Sequence, residues 1–201
     1  NDHYDTMMAR MVQQWRKDWG DSKNEMPFYY VMITPYSYGD SNAISYPLFV
    51  ENQARALAKI PNSGMAATTD LGEETCIHPA KKFEVGQRLA ALALAKTYGQ
   101  LGFEADAPQM AAYSIKDGKA VITISSENGL SPWYGEAVEG FEIAGADKVF
   151  HKAQATISAQ KEVTVWSDEV AQPVAVRYSF RNFAPGNLKN MFGIPVIPFR
   201  T

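Results

Sequence analysis

Along its first hundred residues the chain alternates between two hydrophobic periods. Tyr4, Met8, Met11, Val12, Trp15 and Trp19 recur at helical spacing, and Gly20 stands where a helix closes. Pro27 then opens an unbroken apolar run, Phe28-Tyr29-Tyr30-Val31-Met32-Ile33, bounded by Pro35. Such a run suits a strand covered on both faces. A second helix is expected from about Tyr46 to Lys59, with Phe49, Val50, Ala54, Leu57 and Ala58 on its apolar side. After Pro61-Asn62-Ser63-Gly64 a short strand runs from Met65 to Thr69 and ends at Asp70. A third helix is expected to follow Pro79, bury Val85, Leu89, Leu92 and Tyr98, and stop near Gly99. Strand, crossover helix, strand, helix is the signature of a parallel α/β sheet.

The period changes after Gly102-Phe103. Asp117-Gly118 separates Tyr113-Ser114-Ile115 from Ala120-Val121-Ile122-Thr123-Ile124, a strong short-range hairpin signal. Val174, Val176, Tyr178 and Phe180 alternate with Ala175, Arg177, Ser179 and Arg181, the pattern of a half-buried strand. Gly140 to Ile143 and Val163 to Trp166 read as further short strands, and no stretch of this half carries a convincing ten-residue helix. The pattern divides the chain into an α/β part over residues 1–105 and an all-β part of sandwich type over residues 106–201, joined around 103–110.

Composition narrows the function classes. The 201 residues are 46% hydrophobic and 20% charged, enough apolar material for a core without staples. Nineteen basic and twenty-two acidic residues leave a net charge of −3, so there is no basic stripe to engage a nucleic-acid backbone. No apolar run approaches the roughly 20 residues that cross a bilayer. The single Cys76 excludes an internal disulfide. No Gly-rich phosphate loop follows either strand, which leaves nucleotide binding without support. The chain opens directly into a helical pattern, without an initiator Met or a signal peptide, and is read as a piece of a longer polypeptide.

In open parallel sheets ligands collect at the carboxyl ends of the strands. The second strand delivers the chain there, into Asp70-Leu71-Gly72-Glu73-Glu74-Thr75-Cys76-Ile77-His78-Pro79. His78 is the candidate general base. A Pro at the first helical position would hold it at a helix entrance, where the dipole disfavours imidazolium. The alternative is a surface-loop histidine bonded to water or a carbonyl.

At this stretch the sequence resembles the sialate O-acetylesterases, SGNH-type serine esterases that remove acetyl groups from sugar hydroxyls. Asp70-Leu71-Gly72, Ile77-His78-Pro79, Lys82 and Val85-Gly86-Gln87-Arg88-Leu89-Ala90 are similar to the family's His-bearing block. Trp15-Arg16-Lys17-Asp18-Trp19-Gly20 and Pro27-Phe28-Tyr29-Tyr30-Val31 resemble the helix and strand leading to its site. Pro173 to Tyr178, Asn187-Leu188, Asn190, Gly193-Ile194-Pro195 and Pro198-Phe199-Arg200-Thr201 resemble the close of its C-terminal β region. The resemblance implies the C-terminal part of an SGNH, flavodoxin-like parallel sheet, followed by the small β domain. It implies His78 as the catalytic base and an acetylated sugar, a sialic acid ester, as substrate. It also places the nucleophilic serine and its oxyanion-hole blocks upstream of Asn1, so the N-terminal part of the same enzyme is the expected partner and the isolated chain is expected to be inactive. Neither a cofactor nor a metal is implied, and a periplasmic or extracellular location is carried over with the family. In many relatives an acidic residue stands just before the Ile-His-Pro; here Thr75 and Cys76 hold those positions, while Asp70, Glu73 and Glu74 are displaced.

Other residues have claims beside that of His78. Gly39-Asp40-Ser41-Asn42 follows a strand and precedes a helix, so Ser41 is an alternative nucleophile for a self-contained hydrolase; the same four residues are ordinary turn and helix-cap composition. Cys76-x-His78 has no second pair at zinc spacing. Trp133 and Tyr134, in a Ser-Pro-Trp-Tyr-Gly loop, are alternative sugar-stacking or core residues, and would make the β part a glycan-binding module. His3 and His151 carry weaker claims, and Met7, Met8 and Met11 read as packing. An α/β half cut from its early strands exposes apolar edges, so self-association is expected.

Overall fold

A computed structural model describes residues 3–135 and 137–201, leaving Asn1, Asp2 and Glu136 outside. Three helices and two strands come first: α1 (Tyr4–Asp18), β1 (Phe28–Val31), α2 (Ser45–Leu57), β2 (Ser63–Ala66) and α3 (Lys82–Lys96). β1 and β2 pair in parallel, Phe28 opposite Ser63 through Val31 opposite Ala66. These two strands are all that the described residues hold of the expected parallel sheet; every other strand pair is antiparallel. α3 packs on one side of the pair, and α1 packs on α2. β2 begins two residues earlier than the apolar pattern indicates and its ladder ends with Met32 N–H donating to Ala66 O (3.0 Å). Gln53 of α2 then takes over, accepting from Ile33 N–H (2.8 Å) and donating to Val31 O (3.2 Å).

Two expectations about helix faces are corrected. On α1 the buried stripe is Asp5, Met8, Val12 and Arg16, not the Met11–Trp15–Trp19 line, which faces solvent. Polar contacts select that stripe. The Asp5 carboxylate accepts from Lys59 (2.8 Å), just beyond the end of α2, and the Arg16 guanidinium donates to Met26 O (2.5 Å) and Pro61 O (2.8 Å). On α3 only Leu92 is fully buried; Val85 and Leu89 are half-buried, and Tyr98 is 72% exposed. Leu89, Ala91 and Ala95 pack with Leu92 against Ala66 and Ala105, while Phe83 and Leu94 of the same helix stay exposed.

The remaining strands are β3 (Met110–Lys116), β4 (Lys119–Ile124), β5 (Leu130–Pro132), β6 (Phe141–Ala144), β7 (Phe150–Lys152), β8 (Gln154–Ala159), β9 (Glu162–Trp166), β10 (Ala175–Tyr178), β11 (Leu188–Asn190) and β12 (Phe199–Arg200). β3 and β4 form the expected hairpin, with Asp117 and Gly118 both at positive φ (49° and 72°), the conformation that selects Gly in such a turn. Two four-stranded sheets, β3-β4-β9-β8 and β12-β10-β6-β7, share one core: Ile122, Val163 and Val165 from the first meet Phe141, Ile143, Val176 and Tyr178 from the second. Between the halves, the Glu104 carboxylate accepts from Ser126 Oγ, the amides of Glu127 and Asn128, and Asn190 Nδ2 (2.6 Å). The division is not clean in packing terms. Ile194 and Ile197 leave the β half and complete the core formed by α1, α2 and both parallel strands.

Candidate active site

Parallel pairing sends both strands out at the same end of the sheet, so the loops that follow them must meet. The loop after β1 (36–44) and the loop after β2 (70–81) do so in detail. Ser37 N–H donates to Glu74 O (3.2 Å) and Ser41 Oγ to the Glu74 carboxylate (2.6 Å). Gly72 lies so close to Pro35 that an added Cβ would stand 2.1 Å from its carbonyl oxygen, so only glycine allows this approach.

His78 is exposed on this rim, with Pro79 buried beside it. The loop holding it is pinned by the Glu73 carboxylate, which accepts from Ala80 N–H (2.7 Å), while Cys76 Sγ turns to the carbonyl of His78 (3.4 Å). The structure corrects the expected helix entrance: α3 starts at Lys82, not at Pro79, and has no side-chain cap at its N-terminus. His78 therefore stands outside the first turn of the helix and not at its entrance.

The acidic residues near His78 are all engaged elsewhere. Asp70 forms a two-pronged ion pair with Arg88 (2.7 Å to each nitrogen), Glu73 binds Ala80 N–H, and Glu74 binds Ser41. None of these bonds involves the imidazole. Arg88 also donates to Ala67 O (2.7 Å) and, at 3.5 Å, to Gly193 O, tying α3 to the end of β2. Ser41 sits in a tight turn: Asp40 N–H donates to Ser37 O (2.9 Å), and the Asp40 carboxylate accepts from Asn42 N–H (2.9 Å). That is the turn-and-cap chemistry of these residues, and Ser41 Oγ points to Glu74, not to His78.

The β half shapes the same rim through Asn182, which is 1% exposed. The first turn of α2 lacks a capping side chain of its own, since Ile44 occupies the N-cap. Asn182 Oδ1 supplies the missing acceptor, for Ser45 Oγ (2.9 Å) and Tyr46 N–H (2.9 Å). Its Nδ2 donates to Ser37 O (3.2 Å) and Asp40 O (3.0 Å). Next to it Arg181 donates to the Glu142 carboxylate (2.5 Å) and to Asn42 Oδ1 (3.2 Å), and Arg177 donates to Glu142 as well (2.7 Å). Burial pushes the Glu142 carboxyl upward, but the two guanidiniums outweigh it and hold the group below its ordinary value. Under the rim Tyr46 is buried with its hydroxyl lacking a hydrogen bond of normal geometry, and burial raises its ionisation well above the usual tyrosine range. None of these contacts has a local signal: Asn182 lies more than a hundred residues from the loop it orders.

Trp133 and Tyr134 part company in the structure. Tyr134 is 61% exposed and its hydroxyl donates to Glu139 (3.2 Å), whereas the Trp133 ring, under the ammonium of Lys189 (4.4 Å), lines a cleft beside α3.

Neither a protein-family model nor a curated protein sequence matches the chain. The architecture is similar to part of a solved carbohydrate acetylesterase: 98% of this chain superposes on it with a TM-score of 0.89 and 39% sequence identity. That neighbour is XAC1771 from Xanthomonas citri, a novel carbohydrate acetylesterase, and the present chain spans 46% of its length.

Proposed function

We propose that this chain is the C-terminal half of a carbohydrate O-acetylesterase and supplies His78 as the general base to a serine contributed by the rest of the enzyme. The observation that carries the reading is the match of nearly the whole chain to under half of a carbohydrate acetylesterase. His78 supports it by lying on the open rim of the parallel pair, accessible to a partner group. Apolar residues left outside on the helices and just beyond their ends, among them Met7, Trp19, Phe83 and Leu101 at 93% exposure, support a large covering partner. In the assembled centre His78 takes the serine proton as the hydroxyl attacks the acetyl carbonyl, then returns it to the departing sugar oxygen; a second cycle with water frees acetate. Because no carboxylate of the loop reaches the ring, its orientation falls to a backbone carbonyl or to a residue of the other half. Resemblance to the sialate O-acetylesterases makes sialic acid esters the first substrates to assay.

The test is acetate release by the full-length enzyme. His78→Ala lowers kcat by about a thousandfold or more, as loss of a base does in serine hydrolases, with the fold retained. Near-normal turnover in that variant rejects the assignment, as does acetate release by residues 1–201 alone.

A further inference from the structure

The cleft that Trp133 lines does not belong to the rim carrying His78. It runs between the outer side of α3 and the segment after β11, has a volume of about 410 Å³, and is walled by Phe103, Trp133 and Phe192 on its apolar side and by Glu84, Gln87 and Arg88 on its polar side. That volume falls in the range of small-ligand sites. Phe192 is 43% exposed, an aromatic surface left in water although a folded core lies beneath it. The Trp133 indole N–H is shut from solvent without an acceptor among the described residues, so the ring is placed for its face and edge and not for its hydrogen bond. Arg88 is held rigid, and its charge is neutralised by the two-pronged pair with Asp70. Glu84 and Gln87 make no side-chain hydrogen bond among the described residues and present an acceptor and an amide to the opening.

Aromatic faces attract the weakly positive C–H groups of a pyranose ring, and amide and carboxylate groups at the edge suit its hydroxyls. An anionic sugar is disfavoured, because Arg88 is already paired with Asp70 and the carboxylates of Glu84 and Glu104 outnumber the remaining cation beside the cleft, Lys189, whose ammonium lies 4.4 Å from the Trp133 ring. We infer that the cleft between α3 and the segment after β11 is a carbohydrate subsite for a neutral, unmodified pyranose unit of the glycan, stacked on Trp133 and Phe192 and hydrogen-bonded by Gln87 and Glu84. This rests on the carbohydrate reading above but concerns a different place on the molecule. It gives the β half a share in substrate recognition, since β5 and β11 position both aromatic residues.

The test uses the chain itself. The indole N–H resonance of Trp133, identified by its loss in Trp133→Phe, is followed by NMR during titration with cellohexaose, xylohexaose and maltohexaose, and in parallel with N-acetylneuraminic acid. At least one neutral hexasaccharide shifts that resonance at millimolar concentration. Phe192→Ala and Gln87→Ala each weaken binding about tenfold, the size of effect expected for a buried contact. Tyr134→Ala, outside the cleft, leaves it unchanged. Phe192 and Gln87 are surface residues, so folding is retained in both variants. The inference is overturned if none of the neutral sugars moves the Trp133 signal, or if N-acetylneuraminic acid binds there as well as they do. Acetate release by the full-length enzyme separates the two claims. Turnover of a small acetyl ester without any sugar binding at Trp133 removes the subsite and leaves the esterase; binding at Trp133 without acetate release removes the esterase and leaves the subsite.

Discussion

Replacing Asn182 by alanine tests how the two halves of the molecule are joined. Four side-chain hydrogen bonds disappear: two accepted by Oδ1 from Ser45 Oγ and Tyr46 N–H, and two donated by Nδ2 to Ser37 O and Asp40 O. The Tyr46 amide is buried in the first turn of α2 and has no substitute cap, so it is left unsatisfied at a cost of about 1–3 kcal/mol. The other three groups lie nearer to solvent and lose about 0.5–1 kcal/mol each. The sum, about 2.5–6 kcal/mol, is a large part of the 5–15 kcal/mol that separates folded from unfolded domains. With m-values of about 2–3 kcal/mol per molar urea, the unfolding midpoint followed by tryptophan fluorescence falls by roughly 1–3 M. Ser45→Ala, which removes one exposed-side bond and leaves the cap in place, costs no more than about 1 kcal/mol. If Asn182→Ala unfolds within about 1 kcal/mol of the wild type, or no earlier than Ser45→Ala, then Asn182 is not the cap of α2 and the long-range staple does not exist.

Three further outcomes follow from the geometry. Glu142 ionises below its ordinary value in the folded state, so its contribution to stability is complete above the ordinary carboxylate range and is lost as pH falls through the depressed folded value; the stability gap between wild type and Glu142→Gln, measured by urea unfolding, therefore narrows from pH 7 to pH 3, and a gap independent of pH contradicts the assignment. Tyr46→Phe removes a buried hydroxyl that has no well-formed partner, so thermal unfolding shows stability unchanged or raised by about 1 kcal/mol, against the loss that a bonded hydroxyl would give. Gly72→Ala forces a Cβ into Pro35 and costs about 1–3 kcal/mol; hydrogen exchange at Ser37, whose amide reaches across to Glu74, accelerates, and unchanged protection there argues against the close contact of the two loops.

What could be read from the sequence was local. The Asp117-Gly118 hairpin, the spans of α1 and α2 and the short strands of the second half are set by neighbours a few residues apart, and they stand close to where the pattern puts them. Of the apolar positions at helical spacing on α1, Met8 and Val12 are buried, while Met11, Trp15 and Trp19 are not, because the helix turns inward the charged Asp5 and Arg16, whose partners Lys59, Met26 and Pro61 come from elsewhere in the chain. The start of α3 was misplaced because Pro79, a good opening residue for a helix, sits instead in a loop held by Glu73. At the rim the sequence pointed to His78 and to its loop. It could not show that Asp70 is taken by Arg88, that Ser41 is taken by Glu74, or that a β-half asparagine caps α2, since each depends on chain segments brought together only by the fold.

Ile194 and Ile197 carry a consequence for how the molecule comes into being. The core beneath α1 and α2 stays open until those two side chains arrive, and both are synthesised after α2 and the strands β3 to β11. On a ribosome adding about 5–20 residues per second, the helical layer waits some ten to forty seconds, exposed, for its closing pieces. The helical layer therefore closes only after the β half has been made, whereas the core of the two four-stranded sheets contains no residue of the helices.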